Sequence, residues 1–392
     1  VRRRRAALTA AVLLALLLAV GIAALGGGSD GNGSPPAAAG PGGAAPGDTG
    51  AAPPSALEQA RADVARMPLQ RQVGQLLIIS FDGTRAPGYV LGALREGRVA
   101  GAILFGGNAP SAASVRALTA QLQRATGSGP GAIVCLDQEG GAIRTLQFAP
   151  SAVGQAGQPT PAAARAAAAA TARALRGVGV NVVLGPVADV AAGTRGSVMA
   201  SRAYPGEPAR VAASVRAAVA AYRKAGVLPV AKHFPGLGGA TTNTDQAAAR
   251  VGRTRAQLSA DLQPFRAALA AGAPLVMLGH ARYPALDAHH IASQSHVIAT
   301  DLLRGQLGFD GVAMTDSLEA HGSLATTGGD VGAAAVRSLQ AGADLLLMTG
   351  PGSLPLVRDA VIAQARRSPA FRARVLDSAA HVLALRRALP AD

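Results

Sequence analysis

Val227-Leu228-Pro229-Val230-Ala231-Lys232-His233-Phe234-Pro235-Gly236-Leu237-Gly238 runs from apolar residues into an ammonium, an imidazole and a glycine-rich loop. Val227 to Ala231 reads as a short buried strand. Lys232 is one of only two lysines in a chain whose positive charge is otherwise arginine. A strand that ends in two donors and then opens into a loop presents them to a small polar ligand. In a parallel barrel the carboxyl ends of the strands carry the active site. Taken alone, the pair is better explained by a lysine snorkelling beside a capped histidine, so the rest of the chain must decide.

Outward from this stretch, short apolar runs alternate with longer alanine-rich segments. The runs are 75–80, 101–105, 132–137, 181–187, 227–233, 274–280, 311–316 and 344–349. Most are Val, Ile and Leu without period-two alternation, as expected of strands covered on both faces of a parallel sheet. Segments such as 162–177 and 207–226 have the length of crossover helices. Eight such units predict a (β/α)8 TIM-type barrel. A doubly wound open sheet is the alternative, but no Gly-x-Gly-x-x-Gly turn follows the first run. Polar groups end several runs: Asp137 with Gln138 and Glu139, Lys232 with His233, His280, and Asp316. Each alone fits a structural cap. Gathered at one end of different strands, ionised groups need partners or a ligand.

The net charge of +15 raises the question of nucleic acid. The arginines are scattered through alanine-rich segments, and aromatic residues for base stacking make up only 3%. Nucleic-acid binding is therefore not expected, and a weak attraction to anionic polymers or headgroups accounts for the charge. Arg2 to Arg5 precede an apolar run, residues 6–25, long enough to cross a bilayer. Residues 1–26 are read as an export signal or membrane anchor, with the remainder outside the cell. Residues 27–55, rich in Gly, Pro, Ala and Ser, read as a flexible linker, and 56–392 as the barrel domain. Membrane contact is expected through the leader only. Cys135, the single cysteine, lies in an apolar run and reads as a small core hydrophobe. No Cys/His spacing suggests zinc, His289-His290 reads as a surface loop pair, and neither a metal nor an organic cofactor is implied.

Several motifs in the same order resemble glycoside hydrolase family 3, in its single-barrel β-N-acetylhexosaminidase form. They include Gly101-Ala102-Ile103-Leu104-Phe105 with Asn108, Leu136-Asp137-Gln138-Glu139-Gly140-Gly141, and Ser201-Arg202-Ala203-Tyr204. The Lys232 loop, Met277-Leu278-Gly279-His280 and Met314-Thr315-Asp316-Ser317-Leu318 complete the set. The resemblance covers about residues 60–387. It implies a retaining hydrolase of β-linked N-acetylglucosamine-type sugars in cell-wall-related glycans, with Asp316 as nucleophile. It also implies Asp137, Arg202, Lys232 and His233 as contacts to the sugar hydroxyls and N-acetyl group. Cationic donors beside Asp316 would keep it charged. Glu319 is read as a helix-start carboxylate. A neutral β-glucosidase or xylosidase of the same superfamily is the competing enzyme.

The chain also departs from the family pattern. Where the family carries Asp-Ser-His, with His as general acid/base, this sequence has Asn243-Thr244-Asp245. Leu237 replaces a family His, and the family Arg after Asp137 falls at Thr145, with Arg144 one place early. Three readings stay open. Asp245 supplies the proton, raised by burial or by the charge of Asp316. Alternatively the acid is missing, and the enzyme cleaves only good leaving groups or transfers to an acceptor such as phosphate. In the third, the barrel binds glycan without turnover.

Overall fold

The computed structural model describes residues 55–389. The expected leader (1–26) and linker (27–55) lie outside the described residues, apart from Ser55. Ser55 belongs to the fold: its hydroxyl accepts from the Glu58 N–H, and the Glu58 carboxylate accepts from the Ser55 N–H, capping helix Ala56–Ala65. Among the described residues no helix is long and apolar enough to cross a membrane.

All eight apolar runs are strands of one closed parallel barrel. In chain order they are β1 (Leu77–Ile79), β2 (Gly101–Ile103), β3 (Ile133–Leu136), β4 (Val182–Val183), β5 (Leu228–Phe234), β6 (Leu275–Leu278), β7 (Val312–Ser317) and β8 (Leu345–Leu347). Each pairs in parallel with its sequence neighbours, and β1 closes against β8. The open-sheet alternative is thereby excluded.

Burial explains why these runs lack alternation. Ile78, Ile133, Cys135, Leu275, Met277, Val312, Met314 and Leu345 fill the barrel interior. The residues between them, such as Leu77, Val134, Val276, Ala313 and Leu346, pack outward against the helices. Both faces are dry, so both must be apolar. Cys135 is one of the interior fillers, and burial pushes its thiol up, so it stays neutral. The crossover helices Pro161–Arg176 and Pro208–Lys224 carry proline in their first turn.

The two barrel ends are built differently. At the amino end of the strands, helix Pro369–Arg387 adds Val382 to the interior cluster, with Leu385 and Leu389 packed beneath it. Arg386 is buried there and donates to the Gln75 side chain and to the carbonyls of Gly131 and Pro130. The carboxyl end stays open. Asn108 holds its rim by donating to the carbonyls of Phe81 and Gly83 and accepting from the Phe105 N–H.

Candidate active site

A cleft of about 500 Å³ occupies the carboxyl end of the barrel. Asp137, Arg202, Lys232, His233, Asp245 and Asp316, the six residues singled out from the sequence, all line it. They arrive from different elements. Asp137 follows β3, Lys232 and His233 lie within β5, and Asp316 lies within β7. Pairing of β5 with β6 is interrupted between Ala231 and Phe234, where the two donors sit.

The cationic donors are not free. Lys232 Nζ lies 2.5 Å from Asp137 Oδ1 and 2.7 Å from Glu139 Oε1. Arg202 grips the same Glu139 with two parallel hydrogen bonds, Nε to Oε2 at 2.9 Å and Nη2 to Oε1 at 2.6 Å. Burial alone would raise the Glu139 carboxyl, but Lys232 and Arg202 outweigh it and bring it down to about 2. Burial likewise opposes the charge of Lys232, and Asp137 with Glu139 more than restores it, so its pKa is pushed up to about 12. Glu139 is thus a buried anion that fixes two cations at the floor of the cleft. It belongs to the motif quoted above, but nothing in the local sequence shows that its carboxylate pairs with residues far along the chain.

Replacing Glu139 by Gln is expected to lower unfolding free energy by about 3 kcal/mol, because Lys232 and Arg202 lose their shared buried counter-ion. The same group gives a pH signature. Its folded pKa lies below the ordinary 4.5, so its contribution is fully present above about 4.5 and is lost as the pH falls towards 2. Urea melts at pH 7 and pH 3 check both. An unchanged midpoint at pH 7, or a parent and variant that lose stability in parallel on acidification, would reject this account.

His233 is oriented by Asp189, a fully buried carboxylate. Asp189 Oδ2 lies 2.8 Å from His233 Nδ1, and its Oδ1 accepts the N–H of His233 at 3.2 Å and of Leu237 at 2.7 Å. With Nδ1–H donated to Asp189, Nε2 is left for the cleft. The glycine loop that follows is tightly seated: a Cβ on Gly238 would come within 1.9 Å of the Val190 carbonyl. The Asn243 side chain accepts the Asp245 N–H at 3.0 Å, a local turn that shapes the loop carrying Asp245. The loop is also anchored by the helix His321–Leu324 that follows β7, where Gly322 N–H donates to Thr244 O and His321 N–H to Asp245 O.

Two carboxylates in this cleft are pushed in opposite directions. Burial disfavours the charge of Asp316, but His233, His280, the Ser317 N–H and Lys232 outweigh it and hold the group below 3.8. The walls of the cleft raise Asp245 above 3.8, and the nearby charge of Asp316 raises it further, although Asp245 keeps an open face to solvent.

Several sequence expectations need correction. Glu319 does not start a helix; the next helix is His321–Leu324, preceded by Ala320. Glu319 lines the cleft instead, and its Oε2 accepts from Thr349 N–H at 2.8 Å and from the Ser317 and Thr349 hydroxyls. The reason is non-local, since its partner Thr349 lies two residues beyond the end of β8. His280 is fully buried, with Nδ1 2.8 Å from Ser293 Oγ and Nε2 2.8 Å from the Ser317 carbonyl. It therefore positions the backbone beside Asp316 and does not line the cleft. Neither Thr145 nor Arg144 reaches the cleft; Arg144 donates to Gln147 and the Ala149 carbonyl. His289 and His290 are exposed as expected, but on the strand Asp287–Ile291 of a short antiparallel pair, not on a loop.

A closed parallel barrel with two carboxyls at its mouth whose pKa values are pushed in opposite directions, set among fixed hydrogen-bonding groups, has the design of a glycosidase. Residues 68–385 match the glycosyl hydrolase family 3 N-terminal domain, and the chain belongs to that family. It is 35% identical over 287 residues to a β-hexosaminidase of Xanthomonas oryzae pv. oryzae, covering 70% of this chain and 84% of the relative. The solved β-N-acetylhexosaminidase of Beutenbergia cavernae superposes with a TM-score of 0.73 at 34% identity, over 82% of this chain and 99% of that one. A family 3 β-N-acetylglucosaminidase from Paenibacillus sp. str. FPU-7 gives a TM-score of 0.77 at 32% identity, over 83% of this chain. The chain spans only 64% of the length of that enzyme.

Proposed function

We propose that this glycosidase removes terminal β-linked N-acetylglucosamine-type sugars from cell-wall-related glycans by a retaining mechanism. The observation that carries the reading is the pair of carboxyls in one cleft, Asp316 held ionised and Asp245 biased towards its protonated form. The Ser317 N–H engages Asp316 Oδ1 at 2.8 Å, leaving Oδ2 to attack the anomeric carbon. The glycosidic C1–O bond breaks as the Oδ2–C1 bond forms, and Asp245 gives its proton to the departing oxygen. Water then attacks C1, returns a proton to Asp245 and frees Asp316, so the anomeric configuration is kept. Asp137, Arg202, Lys232 and His233 hold the sugar hydroxyls and the acetamido group. Export is proposed from the basic and apolar leader, Arg2 to Arg5 followed by residues 6–25.

The test compares a chromogenic N-acetyl-β-glucosaminide with the corresponding β-glucoside and follows the first-formed anomer by NMR. The acetamido substrate is expected to be preferred by about 10²-fold or more, because a site built to bind that group is left unpaired without it. The β-anomer should appear first. A better rate on the plain glucoside would overturn the substrate class. First release of the α-anomer would overturn the mechanism, and binding without turnover of either sugar would leave a glycan-binding barrel.

A further inference from the structure

A second concavity, about 1180 Å³, opens on the flank of the barrel. Its wall is the antiparallel pair Arg282–Tyr283 and Asp287–Ile291, with helix Val331–Ala341 contributing opposite. Arg282, Arg337, His289, His290 and His296 line it, against one carboxylate, Asp287. That carboxylate is already saturated: it accepts from the His289 and His290 N–H groups, from Ser295 Oγ at 2.7 Å, and it meets His290 Nδ1 at 3.1 Å. His296 Nε2 lies 3.5 Å from Asp301, both well exposed. Arg337 spends one nitrogen on the Thr326 carbonyl at 2.6 Å. Among the described residues the histidines do not form a metal-holding cluster.

This concavity extends towards Gly322 through a neighbouring hollow. A smaller hollow of about 260 Å³ shares Arg282, Ala325 and Thr326 with it and adds a third guanidinium, Arg250. Arg250 and Arg282 sit on bridged backbones, the Arg282 N–H donating to Ala249 O and the Val251 N–H to Arg282 O. The hollow also borders Gly322, whose N–H holds Thr244 next to Asp245. The catalytic cleft has the opposite character: Asp137, Asp245, Asp316 and Glu319 line it, and its two cations are already paired. An anion is repelled from the cleft and attracted to the strip beside it.

We propose that this arginine- and histidine-lined groove binds an oxyanion, a carboxylate or phosphate ester, carried by the glycan whose terminal sugar enters the cleft. The substrate is then an acidic oligosaccharide, a statement that rests on the glycosidase reading of the cleft. The test is titration calorimetry on the Asp316→Asn protein, in which bound glycan is not consumed. Three hexasaccharides are compared: neutral chitohexaose, one bearing uronate carboxylates and one bearing phosphate esters. At low salt the anionic sugars are expected to bind about tenfold or more tightly than the neutral one, with the gap shrinking as salt rises. Which anion gains more identifies the source of the oxyanion.

Adding Arg282→Ala and Arg337→Ala together should erase that gap and leave chitohexaose affinity unchanged. In the otherwise unaltered protein, the same pair of changes should leave turnover of a chromogenic monosaccharide unchanged. Equal affinity for neutral and anionic sugars, or a preference that survives the double substitution, overturns the proposal. Because binding is read without chemistry, an inactive cleft with an intact anion preference would refute the mechanism and not the groove.

Discussion

Asp316→Asn is expected to reduce kcat for a chromogenic N-acetyl-β-glucosaminide by on the order of 10³-fold or more, with sugar affinity retained. An amide oxygen is a poor nucleophile and carries no charge to balance an oxocarbenium-like transition state. The substitution is otherwise mild. The Asn side-chain carbonyl still accepts the Ser317 N–H that now holds Oδ1, and His280 still fixes the Ser317 carbonyl from the other side. Loss of rate therefore reports loss of the carboxylate, not collapse of the strand end. The covalent intermediate supplies an independent readout. A 2-fluoro glycosyl reagent slows the second step, so the parent protein should gain one sugar mass on the peptide containing residue 316. The Asn variant should gain none. Retained turnover in the variant, or a label mapped to another residue, would end the assignment of Asp316.

The barrel was legible in the sequence because its physics is repeated eight times. A strand buried on both faces must be apolar throughout, and Gly101–Ile103 or Leu345–Leu347 announces this without any neighbour being known. The lining residues were legible for a related reason. Lys232 and His233 come directly after an apolar run, and Asp316 ends another, so the barrel geometry itself assigns them to one rim.

What stays hidden is the set of pairings across that rim. Glu139 meets Arg202 across 63 residues of chain, and Asp189 meets His233 across 44. Local pattern carries no information on which carboxylate faces which cation. For the same reason Glu319, close behind Asp316, reads as a helix-start group from the sequence, while it accepts hydrogen bonds from Thr349, just past the adjacent strand β8. The signal that finds such groups is a charge count. Arg202 and Lys232 are too deeply seated to remain charged without counter-ions, so two cations required acidic partners beyond Asp137.

The role proposed for Asp245 as general acid/base leads to the second large expected effect. A general acid is worth about 10²–10⁴-fold, and its worth grows with the basicity of the leaving oxygen. Asp245→Asn should therefore cost a disaccharide substrate most of that factor, while an aryl glycoside whose leaving group needs little protonation loses far less in the first step. The second step loses its base as well, and added azide, which needs none, should restore turnover and yield a β-glycosyl azide. The pH profile gives the sign. Activity requires Asp316 ionised, so it falls in acid only below 3.8, and it requires Asp245 protonated, so it falls as the pH rises through a value above 3.8. The parent profile should peak at acidic pH with a declining alkaline side. In the Asn variant that decline should vanish while the acid limb remains. An alkaline limb unchanged in the variant would assign the proton to another group in the cleft.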